Sequence, residues 1–520
     1  MRIGIDVGGT NTDAVVLDGD HVIASHKSPT TLDVSTGIRK ALDAVLRQSE
    51  TSPHAIEAVF IGTTHFTNAV IERRRIWPVA TVRIGLPATS SIPPMYDWPV
   101  DLVEAVGRNI FMVRGGNEFD GRDIVPLDER ALGDVAVAIR ERGLRTVAIT
   151  SVFSHVTPRM ELRAAEIIRN EVPGVAVTLS HEIGRVGFLE RENATIINAS
   201  LSGLAASVVA SFQTALREAG IVAPFFVSQN DGTLMSPDRV AQYPVITFAS
   251  GPTNSMRGAA RLAGLKDAMV VDIGGTTSDV GMLMQGFPRQ SAVAVDIGGA
   301  RTNFRMPDVL SVGLGGGSIV RDDGDRLGPD SVGFRITEKA LVFGGDTLTA
   351  TDIVVAAGLV DIGDASLVRH LPATTIHRAI DRMHVIVDEA VDRMKTSNEP
   401  LPVVLVGGGA VLISRRLQSA SEIIIPKNAG VANAIGAAIA QVGGEVDKIY
   451  SLEGSSREGV IDQARAEAVA QAVAAGARPE TVEIVETEEI ALAYLPGSGT
   501  RIRVKAVGDL RIDQTAPALS

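Results

Sequence analysis

One short pattern occurs twice in this chain, and it limits the fold more than any other feature. The stretches IGIDVGGTNTDAVVL (residues 3–17) and VVDIGGTTSDVGML (residues 270–283) each lead from a β-branched run through an aspartate and Gly-Gly-Thr into a second apolar run. Apolar β-branched runs on either side of a glycine turn predict a β-hairpin. Two related strand–turn–strand units in a chain of 520 residues predict two structurally similar halves.

The residues of the repeated turn are suited to holding a polyphosphate. Asp6 stands at the end of the first strand, where it could hold Mg²⁺ through water, since Mg²⁺ prefers one or two carboxylates together with phosphate oxygens. Gly8 and Gly9 have no Cβ, so their N–H groups could lie against phosphate, and Thr10 and Thr12 add hydroxyl donors. The second unit repeats this set with Asp272, Gly274, Gly275, Thr276 and Thr277. The alternative, a pair of ordinary glycine hairpins, is disfavoured because the aspartate and the hydroxyls are both duplicated.

Two further glycine-rich segments bear on the site. Asp296 to Gly299 repeats Asp-x-Gly-Gly without the following threonine, and we predict an unrelated local turn there. VVLVGGGAVLIS (403–414) reads as a buried strand leading into Gly407, Gly408 and Gly409. Such a turn would let adenine and ribose lie against bare backbone. The helix that follows is rich in alanine and glycine, which predicts close packing on a partner helix.

Composition excludes several classes of function. The net charge is −12 and aromatic residues make up 4% of the chain, which disfavours a nucleic-acid binder or a membrane-surface protein. The absence of cysteine excludes disulfides and thiolate chemistry. The chain starts on a strand pattern and contains no apolar run of about 18 residues, so we expect a cytoplasmic protein. His181 and Glu182 are adjacent and need not converge on a metal, and no transition-metal site held by protein side chains alone is expected.

The coarse pattern predicts three regions. Residues 1–180 would form a first lobe with inserted loops, residues 181–442 a second lobe with nucleotide-binding turns, and residues 443–520 a small α+β appendage. The stretch 83–127 reads as irregular because it is rich in proline and glycine. A single long helix is expected over residues 190–219.

The order of these motifs resembles the sugar kinase, heat-shock and actin superfamily, which implies an α/β fold of two ribonuclease-H-like lobes around a nucleotide cleft. More narrowly, the chain resembles the ATP-binding A-type subunit of the hydantoinase/oxoprolinase family. The resemblance extends over roughly residues 1–442, and the stretches that carry it, besides those above, are GTTHFTNAVIER (62–73), SHEIGRVGFLERENATIINASL (180–201), SGPTNSMRGAA (250–260) and SVGLGGGSI (311–319).

The resemblance also implies roles for individual residues. Asp13 and Asp279 complete the two phosphate motifs, and Gly315, Gly316 and Gly317 match a glycine run expected near nucleotide or substrate. Thr63, Thr64 and Asn68 match a motif that could bind substrate at a helix start, or simply cap that helix. Glu190, Arg191 and Asn193 could bind substrate, or form a buried ion pair that orients their helix. Asn11 departs from the family pattern, which often has an aromatic residue there.

The resemblance implies ATP-dependent opening of a cyclic amide such as a hydantoin, 5-oxoproline or a lactam. ATP would phosphorylate the amide oxygen, and water would then cleave the activated bond, with Asp6, Asp272, Thr10 and Thr276 as the catalytic set and Asp6 and Asp272 holding Mg²⁺. Family enzymes often work with a B-type subunit, so we expect a partner and an oligomer. Two alternatives stay open: a small-molecule kinase that keeps its phosphorylated product, and a nucleotide-switched binding protein.

Overall fold

A computed structural model describes residues 1–9, 11–29, 34–183, 186–291, 294–304, 306–450, 456–492 and 499–512. The strands are β1 Arg2–Val7, β2 Asn11–Asp18, β3 His21–Pro29, β4 Ala58–Thr63, β5 Ala80–Leu86, β6 Asn109–Arg114, β7 Thr146–Ser151, β8 Ala176–Leu179, β9 Phe225–Ser228, β10 Leu234–Met235, β11 Ala268–Ile273, β12 Ser278–Met284, β13 Phe287–Pro288, β14 Val295–Ile297, β15 Ala300–Thr302, β16 Val309–Val312, β17 Ser318–Arg321, β18 Arg326–Ser331, β19 Leu401–Val406, β20 Ala420–Ile424, β21 Val442–Tyr450, β22 Glu483–Ala491 and β23 Thr500–Gly508. The helices are α1 Val34–Gln48, α2 His65–Ile71, α3 Val100–Val106, α4 Glu129–Glu141, α5 Arg159–Glu171, α6 Ser180–Ile183, α7 Phe188–Ser200, α8 Ser202–Glu218, α9 Pro237–Gln242, α10 Ser250–Ala263, α11 Ile336–Lys339, α12 Ala350–Ala356, α13 Ala373–Met394, α14 Ala432–Ala438 and α15 Arg457–Ala474.

The first repeated unit forms the centre of a six-stranded sheet with the order β10-β9-β4-β1-β2-β3. β1 pairs antiparallel with β2 and parallel with β4, and β4 pairs parallel with β9. Side chains alternate between the two faces, as strand geometry requires. Ala14 and Val16 pack into the core beneath α1 and α8, whereas Val15 and Leu17 pack against α14.

The second repeated unit occupies the same position in another sheet, with the order β13-β12-β11-β19-β20. Here β11 pairs antiparallel with β12 and parallel with β19, and β19 pairs parallel with β20. In both sheets an antiparallel hairpin is extended by parallel strands on the side of its first strand. The prediction of an α/β fold with two ribonuclease-H-like lobes is therefore confirmed.

Two helices hold the lobes together between the sheets. α14 packs on β1, β2 and β4, while α10 packs on β11 and β19. Their backbones touch: a methyl group on Gly258 would overlap the carbonyl oxygen of Ala432, and one on Gly436 would overlap that of Asn254. Only glycine permits this approach, so the close helix packing predicted for the alanine- and glycine-rich segment is confirmed.

A separate parallel sheet with the order β6-β5-β7-β8, covered by α4 and α5, interrupts the first lobe. The expectation of an irregular stretch over residues 83–127 was wrong, because β5, α3 and β6 fall within or across it. The prolines and glycines of this stretch lie mostly in the connections, where Gly115 and Gly116 take positive φ values of 145° and 103°.

Two other expectations need correction. The boundary at residue 180 does not separate the lobes, because β9 and β10 lie in the same sheet as β1. The expected single helix over residues 190–219 is two helices, α7 and α8, bent by 53°. Among the described residues no single helix is long and apolar enough to cross a membrane. α7 and α8 reach the necessary length and apolar composition only when the two helices are counted together.

The C-terminal region is a small α+β unit, in which α15 packs on a three-stranded antiparallel sheet of order β21-β23-β22. β21 starts at Val442, shortly after α14, and the core of the unit includes Phe60 and Leu234 of the first lobe. The strand pattern at residues 501–504 lies within β23, whereas the pattern at residues 490–494 overlaps β22 only at the last two residues of that strand. Residues 513–520 of the predicted appendage lie outside the described ranges.

Candidate functional site

A cavity of about 310 Å³ lies where the two repeated turns face each other. The predicted residues that line it are Asp6, Gly8, Gly9, Asp13, Thr64, Asp272, Gly274, Gly275, Thr276, Thr277, Asp279, Gly407 and Gly408. We call this cavity the inter-lobe cleft. Thr10 lies outside the described residues, and Thr12 is fully buried within β2. Most of the predicted set is therefore brought together.

Hydrogen bonds within the two turns decide which glycines can face a ligand. The N–H of Gly8 donates to the Asn11 carbonyl at 3.0 Å, and that of Gly274 donates to the Thr277 carbonyl at 2.9 Å. The N–H of the first glycine is used inside each turn. The second glycine, Gly9 or Gly275, is therefore the one whose backbone can face a ligand in the cleft. Gly275 has open space around its α-carbon, as a backbone that receives a ligand requires.

Asp6 is a buried acid of the cleft. Burial, followed by the nearby Asp13 carboxylate, raises the pKa of Asp6 to about 7. Its Oδ2 accepts a hydrogen bond from Asn433 Nδ2 at 2.9 Å, and the same nitrogen donates to Asp13 at 2.9 Å. Asp6 Oδ1 is buried without a hydrogen-bond partner among the described residues. An acid in this state gains from a cation or an ordered water.

Asp272 occupies the equivalent position in the second lobe. Burial raises its pKa to about 6, against the lowering effect of a hydrogen bond from Ser255. Asp279 lies opposite Asp272 in the hairpin register, and burial raises its pKa as well. Lys27 Nζ lies 2.9 Å from Asp13 and is the cation that lines the cleft within the described chain. The cleft is therefore strongly acidic, which favours a bound cation.

These residues fit a magnesium ion bound together with phosphates. Among the described residues no group of three or more His, Cys, Asp or Glu side chains could hold a metal alone. Mg²⁺ needs fewer protein ligands when phosphate oxygens and water complete its octahedron. Asp6 and Asp272, one from each lobe, would be those ligands, and the unpartnered Oδ1 of Asp6 is the observation that favours them.

The third glycine turn lines the cleft as predicted, except for its last residue. Gly407 and Gly408 face the cavity, and Gly408 has open space around it. Gly409 instead donates its N–H to the Ile273 carbonyl at 2.8 Å, which fixes the turn against β11. A methyl group on Gly407 would meet the Asp272 carboxylate, so this turn also determines where that aspartate lies.

The N–H groups of the glycine run at residues 315–317 form hydrogen bonds within the protein. Gly316 and Gly317 donate to the carbonyls of Gly274 and Gly275 at 3.0 and 2.7 Å, and Gly315 donates to Ser318 Oγ at 2.8 Å. All three N–H groups are thus used within the protein. The run supports the second turn from behind and is not among the residues that line the cleft.

The expected substrate residues Thr63, Thr64 and Asn68 divide between two roles. Thr63 is buried, and its hydroxyl lies 2.7 Å from His65 Nδ1. Thr64 begins α2 without a side-chain capping bond and lines the cleft. Asn68 contacts the Thr64 hydroxyl at the hydrogen-bond limit of 3.5 Å. The Thr64 hydroxyl also donates to the Val7 carbonyl at 3.4 Å. Of the three residues, only Thr64 is among those that line the cleft.

The buried ion pair expected near residue 190 exists, but between other residues. Glu192 pairs with Arg83 of β5, and both side chains are almost completely buried. Arg191 instead binds Ser180 Oγ at 3.0 Å and the Ser151 carbonyl at 2.8 Å. The sequence offered no signal for Arg83, because its partner lies more than a hundred residues away.

The sequence reasoning missed three residues that bind the cleft's aspartates through their side chains. Asn433 belongs to α14, which was interpreted as a packing helix only, and Ser255 lies one helical turn after Gly251 in α10. Lys27 is paired with Asp13 in the register of β2 and β3, and no motif in the sequence marks it. The Asp296 turn, in contrast, is the hairpin between β14 and β15 and lies outside the cleft, as predicted.

Comparison with known proteins identifies the family. The Hydantoinase/oxoprolinase N-terminal region matches residues 2–172, and the Hydantoinase/oxoprolinase domain matches residues 191–366. The chain belongs to the hydantoinase/oxoprolinase family. The two matches together include both repeated turns and three of the four strands of the inserted parallel sheet, β5, β6 and β7.

Individual relatives of this family differ in their reactions. The chain is 30% identical over 400 residues to the acetophenone carboxylase gamma subunit of Aromatoleum aromaticum, covering 69% of this chain and 53% of that protein. It is 28% identical over 391 residues to the caprolactamase subunit alpha of Pseudomonas jessenii, covering 69% and 54%. The chain thus spans about half the length of these two relatives. The crystal structure of ATP-dependent caprolactamase from Pseudomonas jessenii has the same fold, with a TM-score of 0.80 at 20% identity, covering 98% of this chain and 88% of that one.

Proposed function

We propose that this protein binds Mg²⁺·ATP in the inter-lobe cleft and uses it to open a cyclic amide, with a hydantoin, 5-oxoproline or a lactam as the substrate class. The observation that carries the proposal is the pair of acids, Asp6 and Asp272, each at the end of a strand and beside a glycine turn that faces the same cavity. Such preorganised turns and carboxylates are what phosphoryl transfer requires, since it depends mainly on positioning and charge stabilisation.

Each part of the cleft has a place in this proposal. Gly9 and Gly275 would contact the phosphates from opposite lobes, and Gly408 would lie against the nucleoside. Mg²⁺, when bound by Asp6 and Asp272, would neutralise charge on the phosphates. Asn433 holds the Asp6 carboxylate in place, and Ser255 holds that of Asp272.

The chemistry follows from the weakness of an amide as an electrophile. The amide oxygen attacks the γ-phosphorus of ATP, an O–P bond forms, and ADP leaves. Water then adds to the activated carbon, and the ring C–N bond breaks to leave an acyl phosphate. A second water releases the carboxylate and inorganic phosphate. The net reaction consumes one ATP and opens one ring.

A carboxylase reaction is the second candidate, and the similarity to the acetophenone carboxylase gamma subunit favours it. The same phosphorylation would then activate a ketone or bicarbonate oxygen. The printed names of both curated relatives describe subunits, so we also propose that a partner chain takes part in the complete reaction. Product analysis with and without bicarbonate distinguishes the two candidates.

The test is ADP formation by the purified chain with Mg²⁺ and ATP, in the presence of 5-oxoproline, hydantoins and lactams. One cyclic amide should stimulate ADP formation and be converted into its ring-opened acid. Asp272→Asn and Asp6→Asn should each lower this rate at least 100-fold, since one well-placed charged group contributes about 3 kcal/mol or more to such a step.

Asp296→Asn is the matched control, because it changes the same residue type in the same local motif outside the cleft. Asn can still accept the bond that Asp296 receives from the Gly299 N–H at 2.7 Å, so activity should stay at the wild-type level. Stimulation by ketone and bicarbonate in place of a cyclic amide would favour the carboxylase. Absence of ATP binding, or equal loss in all three variants, would refute the proposal.

A further inference from the structure

A lysine stands among the acids of the inter-lobe cleft. Four aspartates and Lys27 are the charged residues that line the cleft within the described chain. Lys27 Nζ lies 2.9 Å from both carboxylate oxygens of Asp13. Asp13 is almost fully buried, whereas 40% of the Lys27 side chain is exposed. The ammonium group is therefore held in place by a buried acid and is still accessible from the cleft.

Lys27 is the last member of a row of side chains that crosses the first sheet. Asp6 of β1 lies opposite Asp13 of β2, and Asp13 lies opposite Lys27 of β3. Residues that are directly opposite in paired strands project from the same face of the sheet. All three line the cleft, and we call them the first row.

The second lobe has an equivalent row that differs at its third position. Asp272 of β11 lies opposite Asp279 of β12, and Asp279 lies opposite Ser311 of β16. Ser311 Oγ donates a hydrogen bond to Asp279, so this hydroxyl binds the second acid of its row as Lys27 binds Asp13. The two rows thus share their acids, and they differ in a lysine in the first lobe and a serine in the second.

The third glycine turn orients a nucleotide relative to these rows. It belongs to the second lobe, where the Gly409 N–H donates to the Ile273 carbonyl at 2.8 Å and fixes the turn to β11. A nucleoside beside Gly408 would therefore have its nearest phosphates at Gly275, on the same lobe. The terminal phosphate would then lie towards the first lobe, where Lys27 lines the cavity.

A cation at the terminal phosphate has a chemical purpose. During phosphoryl transfer, charge is spread over the three equatorial oxygens of the moving group, and catalysis depends mainly on positioning and on stabilising that charge. The aspartates of the cleft act in the opposite direction, because like charges repel. An ammonium group has three N–H donors, and the two oxygens of Asp13 engage at most two of them. At least one donor thus remains for a phosphate oxygen.

We propose that Lys27 is a catalytic residue that contacts the γ-phosphate of ATP and stabilises its charge during transfer, with Asp13 as the positioning residue. This inference rests on the proposed activation of an oxygen by ATP. The acceptor oxygen forms a bond with the γ-phosphorus as the bond from that phosphorus to the bridging oxygen breaks, and the electron pair leaves with ADP. Lys27 keeps its proton throughout. The step is the same whether the acceptor is an amide, a ketone or bicarbonate.

Two roles of Lys27 predict different nucleotide affinities. A lysine that only neutralises Asp13 affects ADP and ATP alike, because both nucleotides contain the nucleoside and the two inner phosphates. A lysine that contacts the γ-phosphate affects ATP and leaves ADP nearly unchanged. Binding measured without an acceptor therefore separates the two roles.

The test compares ADP with β,γ-imido-ATP, an analogue that retains the γ-phosphate without transferring it, by calorimetry in the presence of Mg²⁺. Lys27→Met should bind ADP within about threefold of wild type and the analogue at least tenfold more weakly, the usual effect of removing a hydrogen bond to a charged group. Lys27→Arg, which keeps the charge, should bind the analogue more tightly than Lys27→Met. Lys339→Met, at a lysine of similar exposure on α11 outside the cleft, should bind both nucleotides as the wild type does.

Turnover provides a second measurement on the same variants. With saturating ATP and the acceptor that stimulates the wild type most, Lys27→Met should lower the rate of ADP formation at least 100-fold, as expected for loss of a group that stabilises the transition state. Lys339→Met should leave this rate unchanged. Lys27→Gln can still donate a hydrogen bond to Asp13, and it replaces Lys27→Met in both measurements if that variant does not fold.

Other outcomes would overturn the assignment. Equal weakening of ADP and the analogue, or weakening of neither, would exclude a contact between Lys27 and the γ-phosphate and would leave the proposed function in place. A wild type that binds both nucleotides but forms no amide-dependent ADP would refute the cyclic-amide reaction, and the two affinities would still decide the role of Lys27. A wild type that binds neither nucleotide would refute both.

Discussion

The contact between Asp231 and Lys505 gives the sharpest prediction for stability, because it joins three parts of the chain. Lys505 of β23 lies 2.9 Å from Asp231 Oδ2 and 2.9 Å from the Asp231 carbonyl. Phe287 of β13 lies between two cations: its ring centre is 4.9 Å from Lys505 Nζ and 4.2 Å from the guanidinium of Arg257 on α10. Asp231 is therefore the carboxylate that balances both of these buried cations.

The magnitude follows from the pKa of Asp231. Burial alone would raise this pKa, but the charge of Lys505 and the hydrogen bonds from Thr233 outweigh it and lower the pKa from 3.8 to about 2. One pKa unit corresponds to about 1.4 kcal/mol, so ionised Asp231 stabilises the fold by roughly 2 kcal/mol relative to its neutral form. Because the pKa is depressed in the folded state, this stabilisation is complete above pH 3.8 and is lost as the pH falls towards 2.

Asp231→Asn imitates the neutral acid and should therefore lower the free energy of unfolding by roughly 2 kcal/mol at neutral pH. The difference from wild type, measured by urea titration, should stay constant from about pH 7 to 5 and narrow below about pH 4. Asp462→Asn, at an exposed ion pair on α15, should change stability by less than about 0.5 kcal/mol. A double-mutant cycle with Lys505→Met should give a coupling energy of similar size. A difference that does not narrow in acid, or no coupling, would refute the reasoning.

Three further substitutions test the fold and the cleft. Gly436→Ala should destabilise the protein by about 3 kcal/mol or more in urea unfolding, because the added methyl group would overlap a backbone carbonyl of α10. The control is Gly133→Ala, in open space on α4, which should be neutral or stabilising by up to about 1 kcal/mol. Arg83→Met should cost about 3–5 kcal/mol by leaving Glu192 buried and unpaired, and Arg83→Met with Glu192→Met should recover most of this loss. Gly275→Ala should weaken ATP binding in calorimetry at least tenfold with little change in stability, because its methyl group would project into the open cleft.

The fold was predictable from the sequence where a short pattern carries it. Asp6 and Asp272 lie near the ends of the first strands of two similar hairpins. The strand pattern in the sequence places them there before any tertiary contact is known. The parallel sheet around β5 was not predictable in this way. β5 and β6 are at least as long as β1, but the prolines and glycines in their connections dominate the local composition.

The cleft was also predictable only where a short sequence pattern carries it. Duplicated glycines and acids gave most of its lining residues, but a glycine motif does not show whether its N–H groups are free. Gly315, Gly316 and Gly317 appear in sequence like a phosphate loop, and only the hydrogen bonds to the second turn show that they support it instead. Asn433 was missed for the converse reason, since one polar residue in a small-residue helix gives no signal until that helix is placed beside β1.

The contact between His181 and Glu161 shows what an additional step of reasoning from topology could have achieved. Adjacency in sequence directed attention to His181 and Glu182, yet Glu182 binds the hydroxyl of Tyr243, and the partner of His181 is Glu161, twenty residues earlier. In a parallel β–α–β unit, the residues after both strands meet at one edge. Had the short strand Ala176–Leu179 been recognised as parallel to β7, the histidines after both strands would have marked that edge. The same rule predicts where to look in relatives: at an acid in the connecting helix and a histidine within two residues of the second strand, whatever their separation in sequence.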